Sequence, residues 1–302
     1  MKRVSRGLYI TIGLLLLAAS CARGSSQEPS RETSRLSQPA PSEAGAAITV
    51  ALAVSDIAVG RNRFAFALLD SNNLPIPDAT VQVKVFPGNN PSNVQASKAS
   101  YHGEGLARGV YVTYADFDSA GVWKAEMEVE TPGKLRLKGD VGFQVAAKSM
   151  TPGIGQPVPL SQNKTVKGFP NLEEITSDRP LDPDLYQLTI AEAVAARKPF
   201  VVVFATPAFC TSKACGPVVE VVKQLKGKIG SRMNYIHVEI FDNPSELSKG
   251  SRDFRVSKTV DDWKLPSEPW IFLVDPQGKV AAKFEGPATL DELEPAAQQL
   301  IR

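Results

Sequence analysis

The period of the hydrophobic pattern changes once along this chain, and that change limits what the chain can fold into. From residue 48 to about residue 145, apolar and polar residues alternate, most regularly from Trp123 to Glu130. Such alternation is typical of strands with one buried face. From about Tyr186 onward, uninterrupted apolar runs alternate with helical patterns, which indicates a sheet covered on both faces. The sequence therefore predicts two domains, an all-β domain followed by an α/β domain.

Turn signals divide residues 47–147 into about seven short strands, which fits an antiparallel sandwich of the immunoglobulin-like kind. The segments 109–113 and 118–123 resemble the small immunoglobulin-like domains of bacterial exported proteins, including the YtkA-like group. A resemblance at the level of the fold implies no particular function. The histidine in this domain, His102, lacks metal-binding neighbours in the sequence, so the domain is interpreted as a spacer or a partner-binding module.

The amino terminus carries the features of an export signal. Basic residues precede an apolar stretch, 8–19, which is shorter than the roughly 20 residues of a membrane-spanning helix. Residues 17–21 resemble the lipobox of bacterial lipoproteins. That resemblance implies that residues 1–20 are removed and that Cys21 becomes a lipidated first residue held at a membrane. An ordinary cleaved signal and an uncleaved anchor are the alternatives, and each places the remainder in the cell envelope, outside the cytoplasm.

Two segments have the composition of connectors. Residues 21–46 are rich in Ser, Pro, Glu, Arg and Ala with few large apolar side chains, which predicts a flexible tether. Residues 148–185 contain six prolines and are interpreted as a second linker. Its apolar end, with Leu181 and Leu185, is expected to pack on the domain that follows, residues 186–302.

Charge and cysteine content narrow the function further. The chain has 34 basic and 32 acidic residues and no basic cluster interleaved with aromatic residues, which argues against nucleic acid as a partner. If Cys21 carries lipid, the exported body retains two of the three cysteines, Cys210 and Cys215. Outside the cytoplasm such a pair is readily oxidised to a disulfide, provided that the backbone brings the sulfurs together.

The α/β domain has a regular order of predicted elements. A helix begins at Thr189, with Glu192 at the spacing of a capping box. The other predicted elements are strands at 199–204, 235–240, 269–274 and 279–284, a helix at about 217–228 and a capped helix from Thr289.

This order resembles the thioredoxin fold, and the hairpin at 274–280 resembles its TlpA-like branch. The segment Glu268-Pro269-Trp270-Ile271 stands where that family has a cis-proline beside its active site. The resemblance implies that Cys210, Cys215, Glu268 and Pro269 form a redox site.

The position of the cysteines favours reactivity. A cysteine at a helix amino terminus meets unpaired N–H groups and the positive end of the macrodipole, which lower its pKa, and Lys213 would act in the same direction. The thiolate is the form that attacks a disulfide. The sequence therefore predicts a thiol–disulfide oxidoreductase that acts on thiols or disulfides of exported proteins and uses no cofactor.

The spacing of the two cysteines departs from the thioredoxin pattern, because four residues separate them instead of two. Residues five apart lie about 140° around a regular helix. A disulfide then requires either that Cys210 lies in the loop before the helix or that the first turn unwinds, and Pro217 favours the loop. Cys210 lies at the same distance from the strand as the attacking cysteine of the thioredoxin family. Cys215, however, begins a Cys-Gly-Pro tripeptide like that of the family's attacking cysteine. We favour Cys210 as the nucleophile and Cys215 as the resolving thiol.

Three further residues near the site carry expectations. Val203 stands where thioredoxin keeps a buried acidic residue, so Glu268 is the nearest substitute as a proton acceptor. Trp263 and Trp270 flank the proline loop. We expect Trp263 to line a substrate groove and Trp270 to lie in the core.

Three other functions are compatible with parts of the pattern. The first is a non-enzymatic envelope protein in which a Cys210–Cys215 disulfide only braces a loop. The second is a peroxidase, because the segment 210–215 resembles the paired cysteines of atypical two-cysteine peroxiredoxins, although Thr206 is one residue too far from Cys210. The third is copper binding as in the Sco proteins, with His237 as a third ligand. A histidine inside a strand is more often structural, and no metal site is predicted.

Overall fold

A computed structural model describes residues 46–302. The segment with alternating hydrophobicity folds into eight strands, in the sheet order β1-β8-β7-β4-β5-β6-β3-β2. Their bounds are β1 Ala46–Ala47, β2 Thr49–Leu52, β3 Gly60–Leu69, β4 Thr80–Pro87, β5 Gln95–His102, β6 Val110–Phe117, β7 Gly121–Glu130 and β8 Arg136–Val145. The short β1 is parallel to β8, and every other pairing in this sheet is antiparallel.

The large sheet folds back on itself at β5. The first half of β5 pairs with β4 and its end pairs with β6. Phe64 of β3 and Phe143 of β8 stand far apart in the sheet order, yet their ring centroids are 5.1 Å apart. Phe117 contacts both Phe143 and Trp123, at 5.5 and 5.0 Å. The two halves therefore face each other across one apolar core, and the residues predicted to point inward on β7 are buried there.

The second sheet has four strands in the order β10-β9-β11-β12. Their bounds are β9 Phe200–Ala205, β10 Asn234–Glu239, β11 Trp270–Val274 and β12 Val280–Glu285. The central strand β9 is parallel to β10 and antiparallel to β11, and β11 forms an antiparallel pair with β12. The four strands of the α/β region thus follow one another in the predicted order.

Helices cover both faces of this sheet. They are α1 Ile190–Ala195, α2 Cys215–Ile229, α3 Pro244–Ser248, α4 Lys258–Trp263 and α5 Leu290–Leu300. Val201 and Val203 pack into a core with α2 and α5, whereas Phe200, Val202 and Phe204 pack into a second core with α1 and α4. Successive residues of a strand point to opposite faces, so an uninterrupted apolar run is what two covered faces require. Within residues 46–302 no helix is both long enough and apolar enough to cross a membrane.

The proline-rich segment 148–185 packs along the α/β region instead of standing clear of it. Backbone hydrogen bonds join Gly155 and Gln156 to Val280 of β12, at 2.8 and 3.0 Å. Val158 is buried in one core, and Ile175 and Leu185 are buried in the other. This segment therefore contributes to the hydrophobic cores on both faces of the sheet.

The folded part has an N-terminal lobe, residues 46–147, and a C-terminal lobe, residues 186–302, which meet at a buried polar interface. Arg63 of β3 donates two hydrogen bonds of 2.9 Å to the carboxylate of Glu292 on α5. Lys283 of β12 lies 3.1 Å from the carboxylate of Asp56. The described residues, 46–302, consequently belong to one compact unit.

Candidate active site at the β9–α2 junction

Strand β9 leads the chain directly into the cysteine segment. The strand ends at Ala205, and the N–H of Phe209 closes a turn on the carbonyl of Thr206 at 3.1 Å. Cys210 follows this turn and is partly exposed. The burial of β9 on both faces fixes where the strand ends, and thereby fixes the position of Cys210.

Helix α2 begins at Cys215, two residues earlier than the predicted start at Pro217. Cys210 therefore lies in the loop before the helix, which is the first of the two arrangements that the spacing allows. The N–H of Lys213 donates to the carbonyl of Cys210 at 3.3 Å, and Lys213 adopts a left-handed conformation with φ of 59°. Cys215 is fully buried in the core under α2, so the two thiols differ in their access to solvent.

Hydrogen bonds to Cys210 favour its thiolate. The largest contribution comes from the Cys215 thiol; others come from Ser212, whose hydroxyl lies 3.1 Å from the Cys210 sulfur, and from the backbone N–H groups of Cys215 and Ala214. Together they lower the pKa of Cys210 to about 5, although partial burial opposes them. The N–H groups at the start of α2 act on the anion as expected for a helix amino terminus.

The Cys215 thiol has the opposite balance. Its hydrogen bond to Cys210 and its burial both raise the pKa of Cys215 well above its usual range. In this balance Cys210 is the thiol that ionises more readily and Cys215 the thiol that keeps its proton. A partly exposed thiolate beside a buried thiol can attack a disulfide, and the buried thiol can then resolve the mixed disulfide.

Glu268 and Pro269 lie on the loop that faces the cysteines. The peptide bond between them is cis, and Pro269 is buried at the start of β11. Burial raises the pKa of the Glu268 carboxyl, and the nearby charge of Cys210 raises it further. The structure thus brings together Cys210, Cys215, Glu268 and Pro269.

The prediction that Trp263 lines a substrate groove is wrong. Trp263 is fully buried at the end of α4, with ring centroids 4.9 Å from Phe204 and 4.7 Å from Phe272. Trp270 is also buried, as expected, and stacks on Phe272 at 5.5 Å. Both tryptophans fill the core on this face of the sheet, because α4 packs the Trp263 ring against the sheet and Trp270 is itself part of the buried strand β11. Cys21, the predicted lipidation site, lies outside the described residues.

Aromatic side chains provide the apolar surface beside Cys210. Phe209, the residue before it, lies 6.3 Å from both Phe241 and Phe254 between ring centroids, and Phe241 and Phe254 are 5.0 Å apart. Phe254 is 53% exposed. Sequence reasoning did not identify this cluster, because its members come from three separate loops.

A buried polar group behind the cysteines was also missed. Glu239 ends β10 opposite Ala205, and the N–H and hydroxyl of Ser177 each donate to one of its carboxylate oxygens at 2.7 Å. Among the described residues its other oxygen has no hydrogen-bond partner. Burial raises the pKa of Glu239 to about 7, although the hydrogen bonds from Ser177 oppose this rise. A lone acidic residue at the end of an apolar strand is the signal that could have identified it.

His237 is structural. Its Nε2 lies 3.1 Å from the carbonyl of Ala205, which requires Nε2 to carry the proton, and its Nδ1 accepts from the hydroxyl of Tyr186 at 2.7 Å. Burial lowers the pKa of His237 to about 4, so the imidazole is neutral at physiological pH. Both ring nitrogens are engaged, and neither is free to bind copper. His102 instead bonds to the C-terminal lobe, with Nδ1 3.0 Å from the carboxylate of Asp291.

Comparison with known protein families gives a match to the N-terminal part of the chain. A family model described as YtkA-like matches residues 43–128, which is less than half of the chain and falls largely on the N-terminal lobe. This match confirms the resemblance of that segment to the YtkA-like group. No curated protein is detectably similar to the chain.

Solved structures similar to the chain include thioredoxin-family proteins. A thiol:disulfide interchange protein of the thioredoxin family from Chlorobium tepidum TLS is 12% identical, with a TM-score of 0.35, and the match covers 50% of this chain and 99% of that one. A DsbF homologue from Corynebacterium diphtheriae is 15% identical, with a TM-score of 0.31 and coverage of 37% and 77%. A thio-disulfide isomerase from Thermus thermophilus is 24% identical, with a TM-score of 0.28 and coverage of 38% and 86%. These TM-scores are too low to carry a functional argument, which rests on the geometry of the two thiols.

Proposed function

We propose that this protein is an extracytoplasmic thiol–disulfide oxidoreductase, tethered to a membrane through Cys21, in which Cys210 is the nucleophile and Cys215 the resolving thiol. The observation that carries the proposal is the asymmetry of the pair. Cys210 is partly exposed, with its pKa lowered to about 5, whereas Cys215 is buried with its pKa raised. A thiol that is both ionised and accessible is the form that enters exchange.

The proposed reaction has two steps, and each step breaks one sulfur–sulfur bond and forms another. The Cys210 thiolate attacks a disulfide of the partner, a Cys210–partner bond forms, and the partner's second sulfur leaves and takes up a proton. The Cys215 thiol then loses its proton and attacks Cys210, which releases the partner's first sulfur. The partner gains two electrons and the protein is left with a Cys210–Cys215 disulfide. The reverse sequence oxidises a partner dithiol.

Glu268 is the proposed acceptor for the proton that Cys215 must lose. It lies close enough to both cysteines to affect their electrostatics, and its own pKa is raised by burial and by the Cys210 charge. A carboxyl with a raised pKa is better matched to proton transfer near neutral pH than an ordinary surface carboxylate.

The surroundings of Cys210 support a protein partner. The partly exposed aromatic cluster of Phe209, Phe241 and Phe254 can contact apolar side chains that flank the partner's disulfide. We propose that the N-terminal lobe is an immunoglobulin-like sandwich that helps to hold the partner. In the alternative function, a non-enzymatic binding protein, the Cys210–Cys215 disulfide would be inert.

The test is a glutathione exchange experiment on the full-length protein. The reduction potential of the pair is measured in glutathione buffers by counting alkylated thiols by mass spectrometry, and a value above about −250 mV is expected. A value below roughly −300 mV is typical of structural disulfides and would favour the binding protein.

Two matched variants assign the roles of the cysteines. With oxidised glutathione, Cys215→Ser is expected to accumulate a mixed disulfide that peptide mapping places on Cys210. Cys210→Ser is expected to react far more slowly, because Cys215 is buried. Faster modification of Cys215 in Cys210→Ser than of Cys210 in Cys215→Ser would reverse the assignment.

A further inference from the structure

The carboxylate of Glu285 bridges the two lobes next to the candidate active site. Glu285 is the last residue of β12 and is buried. One of its carboxylate oxygens accepts hydrogen bonds from the backbone N–H groups of Ser55, at 2.8 Å, and Asp56, at 3.0 Å. The other oxygen accepts from the hydroxyls of Ser55 and Ser267, the latter at 2.7 Å. Hydrogen bonds to an ionised carboxylate are stronger than neutral ones, so four of them hold this side chain firmly.

Ser267 carries this restraint into the proline loop. Its hydroxyl donates to Glu285 and accepts from the Nε1 of Trp270 at 3.1 Å. Ser267 directly precedes Glu268, whose carboxyl is close enough to Cys210 for the charge of Cys210 to raise its pKa, and the cis-proline Pro269. The other side of the loop is held as well, because the carbonyl of Pro269 accepts from the N–H of Gly286 at 2.9 Å. Residues 285 and 286 therefore fix both ends of the Ser267–Trp270 segment.

The N-terminal lobe closes against this same point. Gly286 has φ of 71°, and a Cβ added there would lie 2.6 Å from the carbonyl oxygen of Ala53. No side chain fits between the lobes at this position. The guanidinium of Arg63, also in the N-terminal lobe, donates to the carbonyl of Glu285 at 2.9 Å. The end of β12 is thus held between the N-terminal lobe and the proline loop.

We propose that Glu285 is a positioning residue for the thiol chemistry, which uses the N-terminal lobe as an anchor and holds Ser267 so that Glu268 and Pro269 face Cys210. The N-terminal lobe then contributes to the geometry of the active site, in addition to any role in binding a partner. This inference rests on the proposed function, in which Glu268 acts beside Cys210. It concerns residues 55, 56 and 285, which the sequence places far from the cysteines.

The first test measures the coupling between Glu268 and Cys210 in the full chain. The pKa of Cys210 is obtained from the pH dependence of its alkylation by iodoacetamide, with peptide mapping. Glu268→Gln removes a like charge and is expected to lower the pKa of Cys210. In a Glu285→Gln background this shift is expected to shrink, because the loop no longer holds Glu268 against Cys210.

The second test is exchange activity with oxidised glutathione. Glu285→Gln is expected to lower kcat by about 10- to 100-fold, the loss typical of a small displacement of reacting groups, with little change in KM. Glu128→Gln is the matched control, since Glu128 is an exposed carboxylate of the N-terminal lobe, paired only with Lys84. It is expected to retain wild-type activity.

Ser267→Ala keeps the inference testable if Glu285→Gln does not fold. This variant removes the hydroxyl that joins Glu285 to the proline loop and leaves the contacts of Glu285 with Ser55 and Asp56. Like Glu285→Gln, it is expected to lower kcat and to shrink the shift in the pKa of Cys210 that Glu268→Gln causes. Unchanged coupling and unchanged kcat in the folded variants would overturn the inference. If the wild-type protein shows no exchange, the proposed function fails, and the alkylation cycle still decides whether Glu285 positions the loop.

Discussion

Cys210 and Cys215 carry the same side chain in different electrostatic surroundings. The contacts that lower the pKa of Cys210 most are a thiol, a hydroxyl and two backbone N–H groups. Lys213, which was expected from the sequence to act as a charge beside the thiols, is exposed and adopts a left-handed conformation between them. At the scale of single residues, therefore, short-range hydrogen bonds at the start of a helix set which thiol is ionised.

The hydrogen bond between the two thiols leads to a first prediction. Cys215→Ala removes the strongest donor to the Cys210 thiolate, so the pKa of Cys210 should rise from about 5 towards the usual cysteine value of about 8.5. The alkylation rate of Cys210 at pH 6 should then fall by at least about tenfold, because the thiolate is the reactive form. Cys215→Ser keeps a hydroxyl donor and should show a smaller shift. If the two variants titrate alike, the thiol is not the controlling donor.

Glu239 and His237 predict the pH dependence of stability. Burial raises the pKa of Glu239 from 4.5 to about 7, so the folded protein binds this proton more tightly and the free energy of unfolding falls as pH rises through that range. Burial lowers the pKa of His237 from 6.5 to about 4, so the contribution of His237 to the free energy of unfolding rises with pH between those values. The two contributions largely cancel in the wild-type protein between about pH 4.5 and 6.5.

Glu239→Gln should separate these contributions. As pH rises from 4.5 to 7.5, the free energy of unfolding of the variant should increase by up to about 3 kcal/mol relative to that of the wild-type protein, at about 1.4 kcal/mol per pKa unit. The measurement is urea unfolding at one-unit pH steps, with the exposed Glu128→Gln as the control. A constant difference between variant and wild type across this range would show that Glu239 does not titrate there.

Helix boundaries illustrate the element scale. The capping box predicted for α1 is present, since the N–H of Thr189 donates to the Glu192 carboxylate at 2.8 Å and the N–H of Glu192 donates to the Thr189 hydroxyl at 3.1 Å. The similar pattern at Thr289 does not give the same cap, although α5 does begin directly after this residue. Glu292 pairs with Arg63 of the N-terminal lobe instead, so a tertiary contact overrides the local pattern.

The α1 cap gives a prediction at this scale. Thr189→Ala should lower the free energy of unfolding by about 1 kcal/mol, because the N–H of Glu192 loses its acceptor at a partly buried helix start. Thr189→Ser keeps the hydroxyl and should lose less than half of that amount. Urea unfolding of the three proteins measures the difference. Equal losses in Thr189→Ala and Thr189→Ser would mean that the threonine methyl group, and not the cap, stabilises α1.

At the scale of the whole molecule, the two lobes are joined by polar contacts that water scarcely reaches. The side chains of Arg63 and Glu292 are 4% and 5% exposed, and Asp56 and Lys283 form a second pair across the interface. Charged groups this well buried must be paired, since leaving one alone costs far more than breaking a surface pair. The lobes should therefore unfold together in one cooperative transition.

Arg63→Ala tests this coupling. It leaves Glu292 buried and unpaired and should lower the free energy of unfolding by about 3–5 kcal/mol. Arg61→Ala is the control, because Arg61 pairs with Asp116 on the exposed surface, and it should lower the free energy of unfolding by less than about 1 kcal/mol. Urea unfolding followed by tryptophan fluorescence measures both, because Trp123 lies in one lobe and Trp263 and Trp270 in the other. Equal costs for the two arginine variants would mean that the lobes are only loosely coupled.

The features of this protein that depend on local pattern could be predicted from the sequence alone. Alternation at period two predicted the strands of the N-terminal lobe, and the apolar run 199–204 predicted a strand covered on both faces. The position of Cys210 between that strand and Pro217 predicted a reactive thiol in the loop before a helix. These features depend on residues close together in the chain, where periodicity and turn chemistry can be read directly.

Contacts between residues that are distant in the chain could not be predicted and are seen only in the tertiary structure. Glu285 meets Ser55 across 230 positions, and Arg63 meets Glu292 across 229. The burial of Trp263, expected in a groove, and of Glu239 behind the cysteines likewise follows from how the elements pack. Hydrophobic period indicates which face of an element is buried but not what that face meets, because the partner is chosen by long-range packing and by the need to pair every buried charge.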